Sequence, residues 1–157
     1  MHEKNFKFSA GFTLLELLIT ISIITLLFTI GIASYQNFNR TQIVNQTVKE
    51  LKENLRLVQS KALSGEKTSA CGANTLIGWQ INFTDSNTYK IQVLCSATPS
   101  DVKTIDLTGD LVKTAGPNTV LFRVLARGVD GSGEIIIKGF GSTKVASVTV
   151  SNTGEIK

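Results

Sequence analysis

The chain has 157 residues, a length that allows one modest globular core, and a net charge of +4. A charge this small argues against a dedicated nucleic-acid-binding protein, whose basic residues cluster on one face. His2 is the only histidine, which argues against imidazole-based catalysis and against a histidine-containing metal site.

The first eleven residues form a short leader that contains two lysines and ends at Gly11. Residues 12–35 follow as an apolar run whose only charged side chain is Glu16. An ionised carboxylate at membrane depth costs about 2.5–3.5 kcal/mol, so such a residue indicates a functional site. If a peptidase cuts after Gly11, the new amino group at Phe12 lies about one helical turn from Glu16 and can neutralise it.

These residues resemble the class III leader of type IV pilins and of the pseudopilins of type II secretion. The leader, its glycine, the phenylalanine, the glutamate four residues later and the long apolar run occur in the family's order. The resemblance implies that a prepilin peptidase cleaves between Gly11 and Phe12 and methylates the new amino group of Phe12. It also implies that Glu16 sets subunit registry when an inner-membrane platform assembles this chain with other pilins or pseudopilins.

Two other interpretations of the N-terminus stay open. Gly31-Ile32-Ala33 has the small-x-small form that signal peptidase prefers, but a signal core normally spans about 7–15 residues without an early carboxylate. A plain membrane anchor gives no reason for a Gly-Phe boundary or for Glu16. The preferred interpretation is a leader at 1–11 and a single inner-membrane span at 12–35, with the rest of the chain periplasmic.

Residues 36–65 are predicted to continue the same helix with one apolar face. Apolar residues recur there at steps of three and four, and charged residues occupy the other faces. Gly65 provides a stop, because glycine adopts a left-handed cap without steric cost. The pattern predicts one helix from about Thr13 to Leu63 that packs on a sheet through its second half, and a coiled coil is the alternative. The apolar positions are Val44, Val48, Leu51, Leu55, Val58 and Ala62.

Beyond Gly65 the apolar period changes to two, which is typical of strands. A hairpin is predicted around a turn at 84–87, with Trp79, Ile81 and Phe83 before the turn and Tyr89, Ile91 and Val93 after it. Further strands are predicted at 102–107, 119–125, 134–138 and 145–151. The predicted fold is α+β, with a long N-terminal helix packed on an antiparallel β-sandwich formed by residues 66–157.

The glycine-punctuated C-terminal strands resemble the β-domain of H-type minor pseudopilins and T-type fimbrial minor pilins. The resemblance is carried by Gly78-Trp79, Phe122 with Gly128, residues 133–137 and residues 148–156. It implies a low-abundance subunit near the fibre tip, and a generic β-sandwich is the alternative. Some fimbrial members contact DNA through terminal arginines, but this chain ends Gly-Glu-Ile-Lys. DNA is therefore an unlikely partner, and DNA uptake in natural competence ranks second.

Cys71 and Cys95 flank the predicted hairpin and are the two cysteines of the chain. An extracytoplasmic location allows them to oxidise, and a disulfide between them is plausible from their positions in the predicted fold. Two unpaired buried thiols are the alternative. A zinc site is not expected from two sulfur ligands and no histidine.

The sequence predicts neither an enzyme nor a cofactor. Serines and threonines are frequent but have no imidazole base, and the sequence lacks a glycine-rich phosphate loop of the Walker form. Residues 130–134 resemble a calcium loop but are too few for the twelve-residue EF-hand loop, so a hairpin turn is preferred. A serine–lysine hydrolase stays open as an alternative.

Overall fold

The computed structural model describes residues 12–96, 98–139 and 144–157. The leader at 1–11, and with it the predicted cleavage after Gly11, lies outside the described residues. The chain divides into two compact units, Met1–Phe38 and Asn39–Lys157. The second unit contains both β-sheets and the hydrophobic core.

A single α-helix, α1, spans Leu14–Ser64, within one residue of the predicted bounds at each end. Within the described residues, no helical stretch combines the length and the apolarity required to cross a bilayer. The predicted apolar face of the second half is confirmed. Five of its six positions are buried and Val48 is partly buried.

The end of α1 is a Schellman motif, as the glycine stop predicts. Gly65 has a φ of +65°, its N–H donates to the carbonyl of Ala62, and the N–H of Glu66 donates to the carbonyl of Lys61. These two bonds satisfy carbonyls that the helix end leaves unpaired. The chain therefore leaves the helix in a defined direction toward the first strand.

Two antiparallel sheets follow the helix, which confirms the predicted α+β fold. Their strands are β1 Leu76–Phe83, β2 Thr88–Cys95, β3 Thr98–Asp106, β4 Leu111–Ala115, β5 Thr119–Arg123, β6 Val129–Asp130, β7 Gly133–Gly139 and β8 Val145–Val150. One sheet has the order β3-β2-β1-β5-β6 and the other β4-β7-β8. The predicted hairpin is confirmed as β1 and β2, with Trp79 opposite Val93 and Ile81 opposite Ile91.

Four strands differ from the sequence prediction. β4 and β6 were not predicted, because β4 is a short edge strand without clear alternation and β6 has only two residues. β3 begins at Thr98, before the predicted start at residue 102. Its first residues are mostly polar and exposed, so they lack the apolar alternation on which the prediction depended. β5 ends at Arg123 because Leu125 and Ala126 adopt positive φ angles that no strand accommodates.

The apolar face of α1 and the inner faces of both sheets share one core. Trp79 is fully buried, and its Nε1 donates a 2.8 Å hydrogen bond to the carbonyl of Glu66. Gln59 donates a 2.7 Å hydrogen bond from Nε2 to the carbonyl of Gly154. Half-buried hydrogen bonds thus join the residue after the helix cap to the first strand, and the helix itself to the C-terminal turn, in addition to the apolar contacts.

Candidate functional site

The first turn of α1 is organised by Thr13 and Glu16. The backbone N–H of Glu16 donates to Thr13 Oγ1 at 3.2 Å, and the N–H of Leu17 donates to the carbonyl of Thr13 at 3.2 Å. Thr13 is therefore the N-cap, and Glu16 lies three residues inside the helix at the positive end of its dipole. Thr13 was not among the predicted site residues, although Thr-x-x-Glu is the sequence signature of a capping box.

The half-helix that follows Phe12 exposes apolar side chains on every face. The exposed fractions are 75% for Phe12, 68% for Leu26 and 66% for Phe28. The other exposed members of this segment are Leu14, Leu15, Leu17, Leu18, Ile19, Ile21, Ile23, Ile24, Leu27, Ile32 and Tyr35. A helix that is apolar all round is stable only where its whole circumference is covered by protein or lipid.

Three described hydroxyl groups of this segment are satisfied within the helix. Thr20 donates to the carbonyl of Leu17 at 2.9 Å, and Ser22 and Thr25 donate to carbonyls four residues earlier at 2.8 Å. Such bonds lower the penalty of placing a hydroxyl in an apolar environment. Glu16 is exposed as well, but it differs because it carries a charge, which needs a partner once the segment is covered.

Comparison with known proteins finds a family model that matches the sequence of this N-terminal segment. Residues 7–32 match the model of the prokaryotic N-terminal methylation motif. This matched segment of the chain contains Gly11, Phe12 and Glu16. The chain is type IV pilin-like. The structure describes Phe12 and Glu16 of this motif, both exposed, whereas Gly11 lies outside the described residues.

A curated relative of this pilin-like chain is the type IV major fimbrial protein FimA of Dichelobacter nodosus. The two are 35% identical over 69 residues, which is 44% of this chain and 41% of the relative. The chain thus matches less than half the length of that relative. No solved structure gives a significant match to the chain.

The two cysteines of the pilin-like chain meet where α1 connects to the first sheet. Cys71 lies in the short 3-10 turn Ser69–Cys71, and Cys95 is the last residue of β2. Their Cα atoms are 5.4 Å apart, within the usual disulfide range, and the structure joins their sulfur atoms. Both side chains are buried. The bridge closes a loop that includes Trp79 and the whole of β1.

The segment considered as a calcium loop is a turn between β6 and β7. Asp130 accepts two hydrogen bonds at Oδ2 from Arg123, at 2.9 Å from Nε and 2.6 Å from Nη2. The carboxylate of Asp130 is therefore ion-paired with Arg123. Across the described part of the chain, no group of three or more His, Cys, Asp or Glu residues is arranged to hold a metal ion.

Three titratable groups of the globular unit have shifted pKa values, and each shift has a structural cause. Burial raises the pKa of Tyr89 to about 12. Hydrogen bonds from Gln92 and Lys90 lower the pKa of Asp101, and burial lowers the pKa of Lys113. The Lys113 ammonium lies 5.0 Å from the centroid of the Phe83 ring and donates to Asn118. These three groups lie on three different strands, β2, β3 and β4.

Proposed function

We propose that this chain is a minor subunit of a type II secretion pseudopilus or a type IV pilus, located near the fibre tip. The proposal is carried by Glu16, a single carboxylate in the first turn of a half-helix that is otherwise apolar all round. A bundle of such half-helices covers their apolar faces and provides amino groups that can neutralise the carboxylates. The similarity to a fimbrial protein supports a fibre subunit, and the C-terminal strand pattern supports the minor role.

The first step is processing of the N-terminus. A prepilin peptidase cleaves after Gly11 and frees the amino group of Phe12. Methylation of that nitrogen retains a basic amine, which carries a positive charge when protonated. The ammonium then lies about one helical turn from Glu16 in its own subunit, and within reach of the Glu16 carboxylate of a neighbouring subunit.

The second step is assembly from the membrane. Residues 12–35 hold the processed subunit in the inner membrane, with the globular unit in the periplasm, until the assembly platform transfers it into the fibre. In a low-dielectric bundle an unpaired carboxylate is strongly penalised. Pairing of Glu16 with the Phe12 ammonium of a neighbour therefore selects one axial stagger among the many that apolar packing tolerates.

Substitution of Glu16 tests this mechanism. We expect Glu16→Ala and Glu16→Gln to remain in the membrane fraction, because each removes a charge from an apolar segment. Recovery of both variants in sheared fibres should fall sharply, whereas the matched control Leu17→Ala should assemble. Incorporation of Glu16→Ala equal to wild type would refute the registry role.

A further inference from the structure

A polar pocket lies where the turn between β1 and β2 meets β4 and the connection from β4 to β5. Its volume is about 410 Å³, within the range of about 300–1,000 Å³ that is usual for small-molecule sites. The half-buried Lys113 lines it together with exposed polar residues. These are Thr84, Asp85, Ser86, Thr114 and Asn118. Hydroxyl, amide and carboxylate groups in one pocket suit a small polar ligand that can form several hydrogen bonds.

Backbone hydrogen bonds fix the walls of this pocket. The N–H of Lys113 donates to the carbonyl of Ser86 at 2.6 Å, which ties β4 of one sheet to the hairpin turn of the other. The N–H of Phe83 donates to the carbonyl of Asn118 at 2.7 Å. The pocket is therefore preformed, and little backbone ordering is needed when a ligand binds.

Lys113 lies on the core-facing side of β4. It follows the buried Leu111 by two residues and is opposite Ile137 of β7, which is fully buried. The three side chains therefore share one face of the sheet. Burial at this position lowers the pKa of Lys113, because the ammonium loses hydration that its surroundings do not replace in full.

Within the described residues, the ammonium of Lys113 has neutral partners only. It donates a 2.6 Å hydrogen bond to Asn118 Oδ1 and lies 5.0 Å from the centroid of the Phe83 ring. Lys113 takes part in none of the ion pairs of the described residues, and neither does Asp85 of the same pocket. An ammonium has three N–H donors. Lys113 can therefore donate to a ligand without giving up Asn118.

A β-bulge lies beside Lys113. Lys113 is opposite Ile137 and Ala115 is opposite Ile136, so Thr114 is an extra residue in β4. Bulges redirect side chains and are frequent next to functional sites. Here the side chain after the lysine also lines the pocket, which adds a hydroxyl group close to the ammonium.

We propose that this pocket binds a small molecule that carries one carboxylate and several hydroxyl groups, as a hexuronic acid does. The carboxylate of the ligand pairs with the Lys113 ammonium, and its hydroxyl groups form hydrogen bonds with Asp85, Ser86 and Thr114. A second negative charge beside Asp85 is unfavourable, so Asp85 directs the ligand carboxylate toward Lys113. Charge-assisted hydrogen bonds are about twice as strong as neutral ones, and the Lys113 contact therefore dominates recognition.

Matched sugars test the role of the ligand carboxylate. Full-length protein in detergent micelles is titrated with D-glucuronate, D-galacturonate and D-mannuronate and with the corresponding neutral hexoses, and binding is followed by saturation-transfer NMR. We expect at least one hexuronate to bind about tenfold or more tightly than its neutral hexose, because only the hexuronate pairs with Lys113. Absence of hexuronate binding, or equal binding of the neutral sugar, would overturn the proposal. Acetate that binds as tightly as the hexuronate would overturn the assignment of a sugar.

Substitution of Lys113 tests the site. Lys113→Met removes the ammonium and keeps a long unbranched side chain at a core-facing position, so the thermal midpoint should stay constant or rise. Hexuronate affinity should fall about tenfold or more, whereas Lys113→Arg, which keeps the charge, should bind more tightly than Lys113→Met. The matched control is Lys103→Met, because Lys103 is an exposed lysine of β3 that does not line the pocket.

Equal loss of affinity in the two methionine variants, or full affinity in Lys113→Met, would contradict the role of Lys113. β4 is an edge strand, and inward-pointing charges can protect such strands from aggregation. Aggregation of Lys113→Met, with no sugar binding by the wild-type protein, would assign Lys113 to that protective role and overturn the proposal.

Hydrogen exchange locates the ligand without any substitution. In the wild-type protein, residues 84–86 and 113–118 should exchange more slowly when the hexuronate is present. Protection confined to other segments would overturn the assignment of this pocket. The site goes beyond the proposed fibre function: a chain that binds the hexuronate but forms no fibre supports the site and refutes that function, whereas fibres of a chain that binds no hexuronate refute the site alone.

Discussion

Asn54 Nδ2 donates a 2.8 Å hydrogen bond to the phenolic oxygen of Tyr89, which links α1 to β2 inside the core. The phenol is buried, and its ring centroid lies 5.4 Å from that of Phe83. Burial disfavours the phenolate and raises the pKa of Tyr89 to about 12, while the bond from Asn54 acts in the opposite direction and the negative charge of Glu50 adds to the increase.

This pKa makes the stability of the globular unit sensitive to alkaline pH. A Tyr pKa of about 10 in the unfolded chain and about 12 in the folded one means that the folded state binds the proton more tightly. The stabilisation is complete below about pH 10 and is lost as the pH rises toward about 12. In urea unfolding of a fragment comprising residues 39–157, Tyr89→Phe should lose less stability than wild type above about pH 10. Parallel losses in the two proteins would contradict this assignment.

The cysteines should be oxidised in the mature protein. Their separation of 24 residues gives a closed loop worth roughly 3 kcal/mol in chain-entropy models. The double variant Cys71→Ser, Cys95→Ser should therefore unfold with a free energy lower by about that amount. Peptide mapping without reductant should find one linked pair, whereas quantitative alkylation of both thiols would show that the bridge is absent.

The N-terminus should carry the marks of a processed pilin. Because residues 7–32 match the methylation motif, the intact mass of the membrane-extracted protein should lack residues 1–11 and carry one added methyl group. Gly11→Val should block this processing, since the predicted cleavage site requires the glycine. A mature protein that begins at Ser34 would instead indicate cleavage by signal peptidase.

The turn at Leu125 should limit the stability of the globular unit. Two non-glycine residues with positive φ cost of order 1–3 kcal/mol each. Replacing Leu125 by Asn and Ala126 by Gly should recover about 1–3 kcal/mol in urea unfolding of the 39–157 fragment. No gain in unfolding free energy would show that this backbone conformation is not strained in solution.

The globular unit should bind duplex DNA no better than non-specifically, with a Kd at or above roughly 10⁻⁵ M near physiological salt. Lys138, Lys144 and Lys157 are the basic side chains of the final thirty residues, and Lys157 lies 3.3 Å from Glu155. If these side chains neutralise three phosphates, the slope of log binding constant against log salt concentration is no steeper than about −2.7. Sub-micromolar binding that Lys144→Ala abolishes would instead support DNA uptake.

Local sequence patterns were enough to predict the structural features that depend on residues close together in the chain. The periodic apolar face of α1, its glycine stop and the β1–β2 hairpin follow from spacing within one element, because each pattern specifies which side of a helix or strand is buried. The methylation motif is likewise continuous in sequence, so the order of residues along the chain is enough to predict Gly11, Phe12 and Glu16 as its site residues.

The tertiary structure decided what depends on distant parts of the chain. β6 is only two residues long and is defined by its pairing with β5, and the turn between these strands has a backbone that Leu-Ala does not favour by itself. One pocket of the globular unit is lined by Val44 of α1 together with Leu111 of β4. The turn between β5 and β6 lies near Ala62, almost at the end of the helix. Such positions are set by sheet register and helix packing, which no local periodicity encodes.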